Sequence, residues 1–175
     1  MKNFRFLISG GGTGGHIYPA LSIADELSKN FLTPKILFVG SKNRMEMQKI
    51  PDYGYKIKGL WISGIKRTFS FSNFLIPLKI IHSLIKSYMI IKNFKPDFVI
   101  GTGGFASGPL LYMASKMKIP TLIQEQNSYA GLTNKILSSS VDFICVAYGN
   151  MNKFFPKNKI IHTGNPVREN IYKLK

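Results

Sequence analysis

Apolar positions along this chain follow two rhythms that alternate. Phe4, Phe6, Leu7 and Ile8 make a short β-type run that ends in glycine, and Ile17, Leu21, Ile23, Ala24 and Leu27 then recur at helical spacing. Pro19 falls in the first turn of that helix, where a missing N–H does no harm. Lys35 to Val39 reads as a second strand closed by Gly40, followed by a short helix around Met45 to Ile50 and a strand near Tyr55 to Leu60. A long helix is predicted from about Asn73 to Asn93, with Pro96 marking its end. Asp97 to Ile100 is the next strand, then come a helix near Gly108 to Met117, a strand over Ile119 to Ile123 and a short helix over Gly131 to Leu137. Phe143 to Ala147 and Lys159 to His162 complete the series of strands.

Apolar strands bounded by Gly or Pro and alternating with helices predict an α/β fold: a Rossmann-like parallel sheet with helices on both faces. In such sheets ligands bind at the carboxyl ends of the strands. Two glycine-rich loops, Gly10 to Gly15 and Gly101 to Gly104, fall at that edge. The chain of 175 residues is expected to form one domain over 1–163, and the polar, basic stretch 164–175 reads as a linker or a cut end.

Composition sharpens this outline. The 24 Lys and Arg against 8 Asp and Glu give a net charge of +16, a field that attracts phosphates, anionic lipid or nucleic acid. The abundance of Lys, Asn and Ile also fits an AT-biased coding style, so charge alone selects none of the three. The single Cys145 excludes a disulfide framework and is expected as a buried, reduced thiol. Met1 to Ser9 is too short for a secretory signal, which points to the cytosol. The apolar segment Phe74 to Ile91 carries Lys79, His82, Lys86 and Ser87, too many polar groups to span a bilayer, and it either faces the core or lies on a membrane.

The chemistry concentrates at the strand ends. Gly10 to Gly15 contains G-x-G-x-x-G, a loop that lets a backbone approach a phosphate at a helix N-terminus. A dinucleotide reading needs an acid at the end of the second strand, where Val39-Gly40-Ser41-Lys42 has none; a P-loop needs Lys and Ser or Thr where His16 and Ile17 stand. His16, at the positive end of a helix, is favoured as a neutral ring and is a candidate general base. Glu125-Gln126-Asn127 suits a polyhydroxy ligand, and Arg168 suits a diphosphate. Three readings stay open on these residues: a site for a polyhydroxy ligand, a nucleotide- or nucleic-acid-binding module, and a dinucleotide oxidoreductase. Aromatics confined to strand and apolar-helix positions speak against nucleic acid as a partner.

Taken in order, Gly11-Gly12-Thr13-Gly14-Gly15-His16, Glu46-Met47, Gly101-Thr102-Gly103-Gly104, Glu125-Gln126-Asn127, Ala130 to Lys135 and Gly164-Asn165-Pro166-Val167-Arg168 closely resemble the MurG family of peptidoglycan N-acetylglucosaminyltransferases. The resemblance implies the N-terminal, acceptor-side half of an inverting GT-B enzyme that uses neither metal nor cofactor. Such an enzyme moves N-acetylglucosamine from UDP-GlcNAc to the C4 hydroxyl of lipid I, giving lipid II. It implies His16 as the catalytic base, Thr13, Gly14, Gly15, Asn127 and Arg168 at the donor, and Gly103, Gly104 and Glu125 on the acceptor side. Phe105 stands where the family has tyrosine, and Gln124 where it has histidine. The family's C-terminal donor domain is missing, so the chain is expected to be inactive alone; a membrane-recruiting subunit of a split transferase is the alternative. The resemblance also implies peripheral binding at the cytoplasmic face of the bacterial inner membrane. There, an apolar patch ringed by Lys66, Arg67, Lys79, Lys86 and Lys92 would meet anionic lipid.

Overall fold

The computed structural model of the chain describes residues 3–64 and 74–168. Seven strands, β1 (Arg5–Ser9), β2 (Lys35–Ser41), β3 (Lys56–Leu60), β4 (Phe98–Gly101), β5 (Thr121–Glu125), β6 (Phe143–Val146) and β7 (Ile160–His162), form one sheet. Every pairing is parallel, in the order β3-β2-β1-β4-β5-β6-β7. The connecting helices are α1 (Gly14–Asn30), α2 (Glu46–Asp52), α3 (Ile76–Phe94), α4 (Ser107–Lys116) and α5 (Leu132–Leu137).

Because strand side chains alternate, β1 feeds two cores at once. Phe6 and Ile8 join Ile17, Leu21 and Ala24 of α1 and Ile50 of α2 on one face. Leu7 points the other way and packs with Ile90 and Ile91 of α3, Leu110 and Leu111 of α4 and Leu137 of α5. The expected two-faced α/β architecture is therefore present.

Strands β2 and β5 depart furthest from expectation. Strand β2 continues through Gly40 to Ser41, which pairs with Leu60. Strand β5 starts at Thr121 rather than Ile119, because the Ile119 N–H still bonds the Ala114 carbonyl of the α4 end and Lys118 takes a left-handed φ of 55°. It ends two residues later than expected, with Gln124 and Glu125 paired to Cys145 and Val146. Asn73, the expected start of the long helix, lies outside the described residues. Cys145 is half-buried rather than buried; burial pushes its thiol pKa up, with a hydrogen bond to Thr163 opposing.

Candidate active site

Strand β1 lies between β2 and β4, so the chain leaves β1 for one face of the sheet and β4 for the other. The two loops part there and open a crevice at the carboxyl edge. Both glycine loops line it and touch each other: the Gly11 N–H donates to the Gly103 carbonyl at 3.4 Å. Glycine is needed at two positions in particular. Gly104 has φ 88°, and a Cβ there would overlap the Gly11 carbonyl oxygen. Gly103 has φ 104°, and a Cβ there would lie 2.8 Å from His16 Nε2 and 2.7 Å from Cδ2.

His16 sits in the first turn of α1, half-buried, with its ring over Gly103. Its Nδ1 lies 2.9 Å from the Gly11 carbonyl oxygen and 3.4 Å from Thr13 Oγ1. A carbonyl only accepts, so Nδ1 carries the hydrogen, and in the neutral ring Nε2 holds the lone pair. The backbone below is anchored by Thr102, whose hydroxyl donates to the His16 carbonyl at 2.7 Å. Thr13 and Gly15 are exposed beside the ring, and Gly14 is partly so, leaving the start of α1 open to an anionic group.

Hydroxyls and amides lock the loops from beneath. Ser107 Oγ lies 2.8 Å from the Gly103 carbonyl and 3.1 Å from the Ser9 carbonyl, while Ser9 Oγ donates to Val39 O at 2.9 Å. Gln126 Nε2 donates to Thr102 O at 2.8 Å and also bonds the Gln124 side chain. Gln124 Nε2 in turn reaches Asn165 Oδ1 at 3.3 Å, so Gln124 and Gln126 join the 164–168 segment to the second glycine loop.

Glu125, expected on the acceptor side, is 1 % exposed, and both of its carboxylate oxygens are engaged within the protein. Oε1 accepts from the Asn127 backbone and side-chain nitrogens at 3.1 Å, and Oε2 from the Gly131 N–H and Asn134 Nδ2 at 2.9 Å. It shapes the 126–131 loop from inside and holds the exposed Asn127 at the rim. Arg168 stacks its guanidinium 4.2 Å from the centre of the Tyr18 ring and lies 3.5 Å from the Tyr53 hydroxyl. Tyr18 would be 3.2 Å from a Cβ at Gly14, so Arg168 comes near the first loop. Residues 169–175 of the expected linker, like Lys66 and Arg67 of the basic ring, lie outside the described residues.

Two features escape sequence reasoning. One is the role of Glu46, 0 % exposed, whose carboxylate accepts the Gly12 and Ser41 N–H groups at 2.9 Å. It occupies the place beside the β2 end where a dinucleotide site would need an open acid, and it faces the backbone instead. The other is the orientation of α3. Leu78, Ile81, Ile85 and Met89 fall on one helical stripe and are 54–57 % exposed, while Ser83 and Ser87 are fully buried. Lys79 and Lys86 flank the stripe, with Lys79 Nζ 2.9 Å from Ser63 Oγ and 5.8 Å from the Trp61 ring centre. Phe74, in the turn before α3, is 69 % exposed. Among the described residues no helix is long and apolar enough to cross a membrane.

Comparison with known proteins fits this geometry. Residues 6–146 match the model of the glycosyltransferase family 28 N-terminal domain. A UDP-N-acetylglucosamine–N-acetylmuramyl-(pentapeptide) pyrophosphoryl-undecaprenol N-acetylglucosamine transferase of Flavobacterium psychrophilum is 58 % identical over 171 residues, covering 98 % of this chain and 47 % of its own length. The protein of the same name from Christiangramia forsetii is 58 % identical over 173 residues, covering 99 % and 47 %. The chain thus spans about half the length of the curated relatives it matches. Among solved structures, that of Acinetobacter baumannii MurG superposes with a TM-score of 0.79 at 28 % identity, over 95 % of this chain and 47 % of that one. A Neisseria meningitidis UDP-GlcNAc 2-epimerase shares the fold, with a TM-score of 0.66 at 19 % identity over 93 % of this chain and 46 % of its own. The crevice between the two glycine loops is therefore that of a glycosyltransferase family 28 N-terminal domain, the family to which this chain belongs.

Proposed function

We propose that this chain is the acceptor-side half of an inverting GT-B transferase that moves N-acetylglucosamine from UDP-GlcNAc to the C4 hydroxyl of lipid I, forming lipid II. In this reading His16 Nε2 takes the hydroxyl proton while the acceptor oxygen bonds the anomeric carbon. The bond from that carbon to the UDP oxygen breaks on the opposite face, and UDP leaves with the electron pair. The observation that carries the reading is the Nδ1 contact to the Gly11 carbonyl, which leaves Nε2 as the ring's acceptor beside the second glycine loop.

Gly103 and Gly104 receive the acceptor diphosphate, supported by their left-handed backbone and the absence of a Cβ at the crevice wall. Thr13, Gly14 and Gly15 meet the donor at the start of α1, with Asn127 and Arg168 at the rim. Residues 1–163 form the acceptor domain and 164–175 begin the connection to a donor domain in the full-length enzyme. The exposed stripe of α3, with Lys79, Lys86 and Lys92 beside it, seats the protein peripherally on anionic lipid at the cytoplasmic face of the membrane.

The test is His16→Ala in the full two-domain protein, with transfer from UDP-GlcNAc to a lipid I analogue as the readout. Loss of a general base lowers kcat by about 10²- to 10⁴-fold. Unchanged turnover removes His16 from the chemistry.

A further inference from the structure

The peptide unit between Gly11 and Gly12 is gripped at both ends by side chains. Its carbonyl oxygen lies 2.9 Å from His16 Nδ1, and its N–H donates to Glu46 Oε2 at 2.9 Å. Glu46 is 0 % exposed, and its other oxygen accepts the Ser41 N–H at 2.9 Å. Two glycines make room for it: a Cβ at Gly11 would overlap the carboxylate, and one at Gly40 would lie 2.5 Å from Glu46 Cγ. Both oxygens accept from backbone N–H groups, and as the first residue of α2 the side chain also meets the positive end of that helix.

An anion on the N–H side of an amide draws electron density toward the amide oxygen, because the two ends share one resonance system. Hydrogen bonds linked in this way polarise and strengthen one another, most of all in a site shielded from water. We propose that Glu46 is a positioning residue for His16, acting through the Gly11–Gly12 peptide. Carboxylate, peptide and imidazole form a relay that fixes the Nδ1–H tautomer and leaves Nε2 free. A carboxylate in direct contact with histidine performs this orienting role in a hydrolase triad; here one peptide unit is inserted between them. No proton travels along the peptide, and the relay acts only on orientation and tautomer.

The inference rests on His16 being the base only for its consequence in transfer; the tautomer itself requires neither substrate nor a second domain. Nitrogen-15 spectra of the histidine rings, recorded on this chain alone at a pH where the His16 ring is neutral, provide the test. The unmutated chain is expected to show His16 mainly as the Nδ1–H form, with a through-hydrogen-bond coupling between the Gly12 amide nitrogen and the Glu46 carboxyl carbon. In Glu46→Gln, whose side-chain amide cannot accept at both ends, the ratio of Nδ1–H to Nε2–H falls about fivefold, the scale of one ordinary hydrogen bond. His82 and His162 keep their tautomers and report an intact fold.

An Nε2–H form of His16 in the unmutated chain overturns the relay, as does an unchanged ratio in a folded Glu46→Gln. If that variant does not fold, the coupling and tautomer of the unmutated chain still decide. Loss of transfer in His16→Ala tests the base and the spectra test the relay, so the two can fail separately.

Discussion

Helix α1 buries Ile17, Ala20, Leu21 and Ala24 against the sheet, whereas α3 buries Ser83, Ser87, Ile90 and Ile91 and leaves Leu78, Ile81, Ile85 and Met89 in solvent. Both helices are amphipathic by spacing, yet only α1 turns its apolar stripe inward. In α3 the small serines provide the packing face, and Ser83 Oγ donates to the Trp61 carbonyl at 3.1 Å. Hydrophobic periodicity thus identifies a stripe but not the phase it faces. In the proposed reading, this exposed stripe with cations beside it is the surface that meets lipid.

The contrast can be broken at several points. Its largest effect is on stability. Leu21→Ala in α1 is expected to cost about 2–5 kcal/mol in urea unfolding, whereas Ile85→Ala in α3 should stay within about 0.5 kcal/mol. Equal costs would mean that the α3 stripe is covered in solution. Next comes the membrane. Replacing Ile81, Ile85 and Met89 together by serine should weaken flotation with anionic liposomes by roughly thirtyfold or more, since full burial of an apolar side chain is worth about 1.5–3 kcal/mol and these three, 54–57 % exposed, have about half of that left to gain. Liposome binding that survived the triple change would assign the stripe to another partner.

The smallest effect separates charge from packing. Burial and repulsion from Lys42 and Lys58 lower the pKa of Lys86, so its charge opposes the fold rather than supporting it. Lys86→Gln is therefore expected to leave the thermal midpoint unchanged or slightly raised, a surface-scale change within about 0.5 kcal/mol. The same substitution should weaken anionic-liposome binding by about 1 kcal/mol, an effect that added salt removes. A neutral-lipid control distinguishes this electrostatic contribution from apolar insertion.

Most of the fold was legible because glycine and proline punctuate it. The runs that reach Gly10 and Gly101 stop there as strands, whereas β2 runs one residue past Gly40, and the alternation of strands with helices marks the sheet as parallel. The start of β5 was misread because Ile119 looks like a strand residue while its N–H still serves the end of α4. At the site, the glycine loops and His16 were visible from residue type and position. The roles of Glu46 and Glu125 were not, because their partners lie in backbone that only the folded chain brings near. A carboxylate at a strand end has the chemistry of a ligand contact, and the four donors that Glu125 meets within the protein are brought to it only by the fold of the 126–134 segment.

The contact between Gly104 and the Gly11 carbonyl also constrains how this sequence can drift. A coding bias that fills surfaces with lysine, asparagine and isoleucine meets a steric stop there, since any side chain at Gly104 must displace backbone rather than another side chain. Across the exposed faces the composition is free to follow mutation pressure. At this one crossing the permitted alphabet shrinks to a single letter, and the crevice keeps its width however far the rest of the surface wanders.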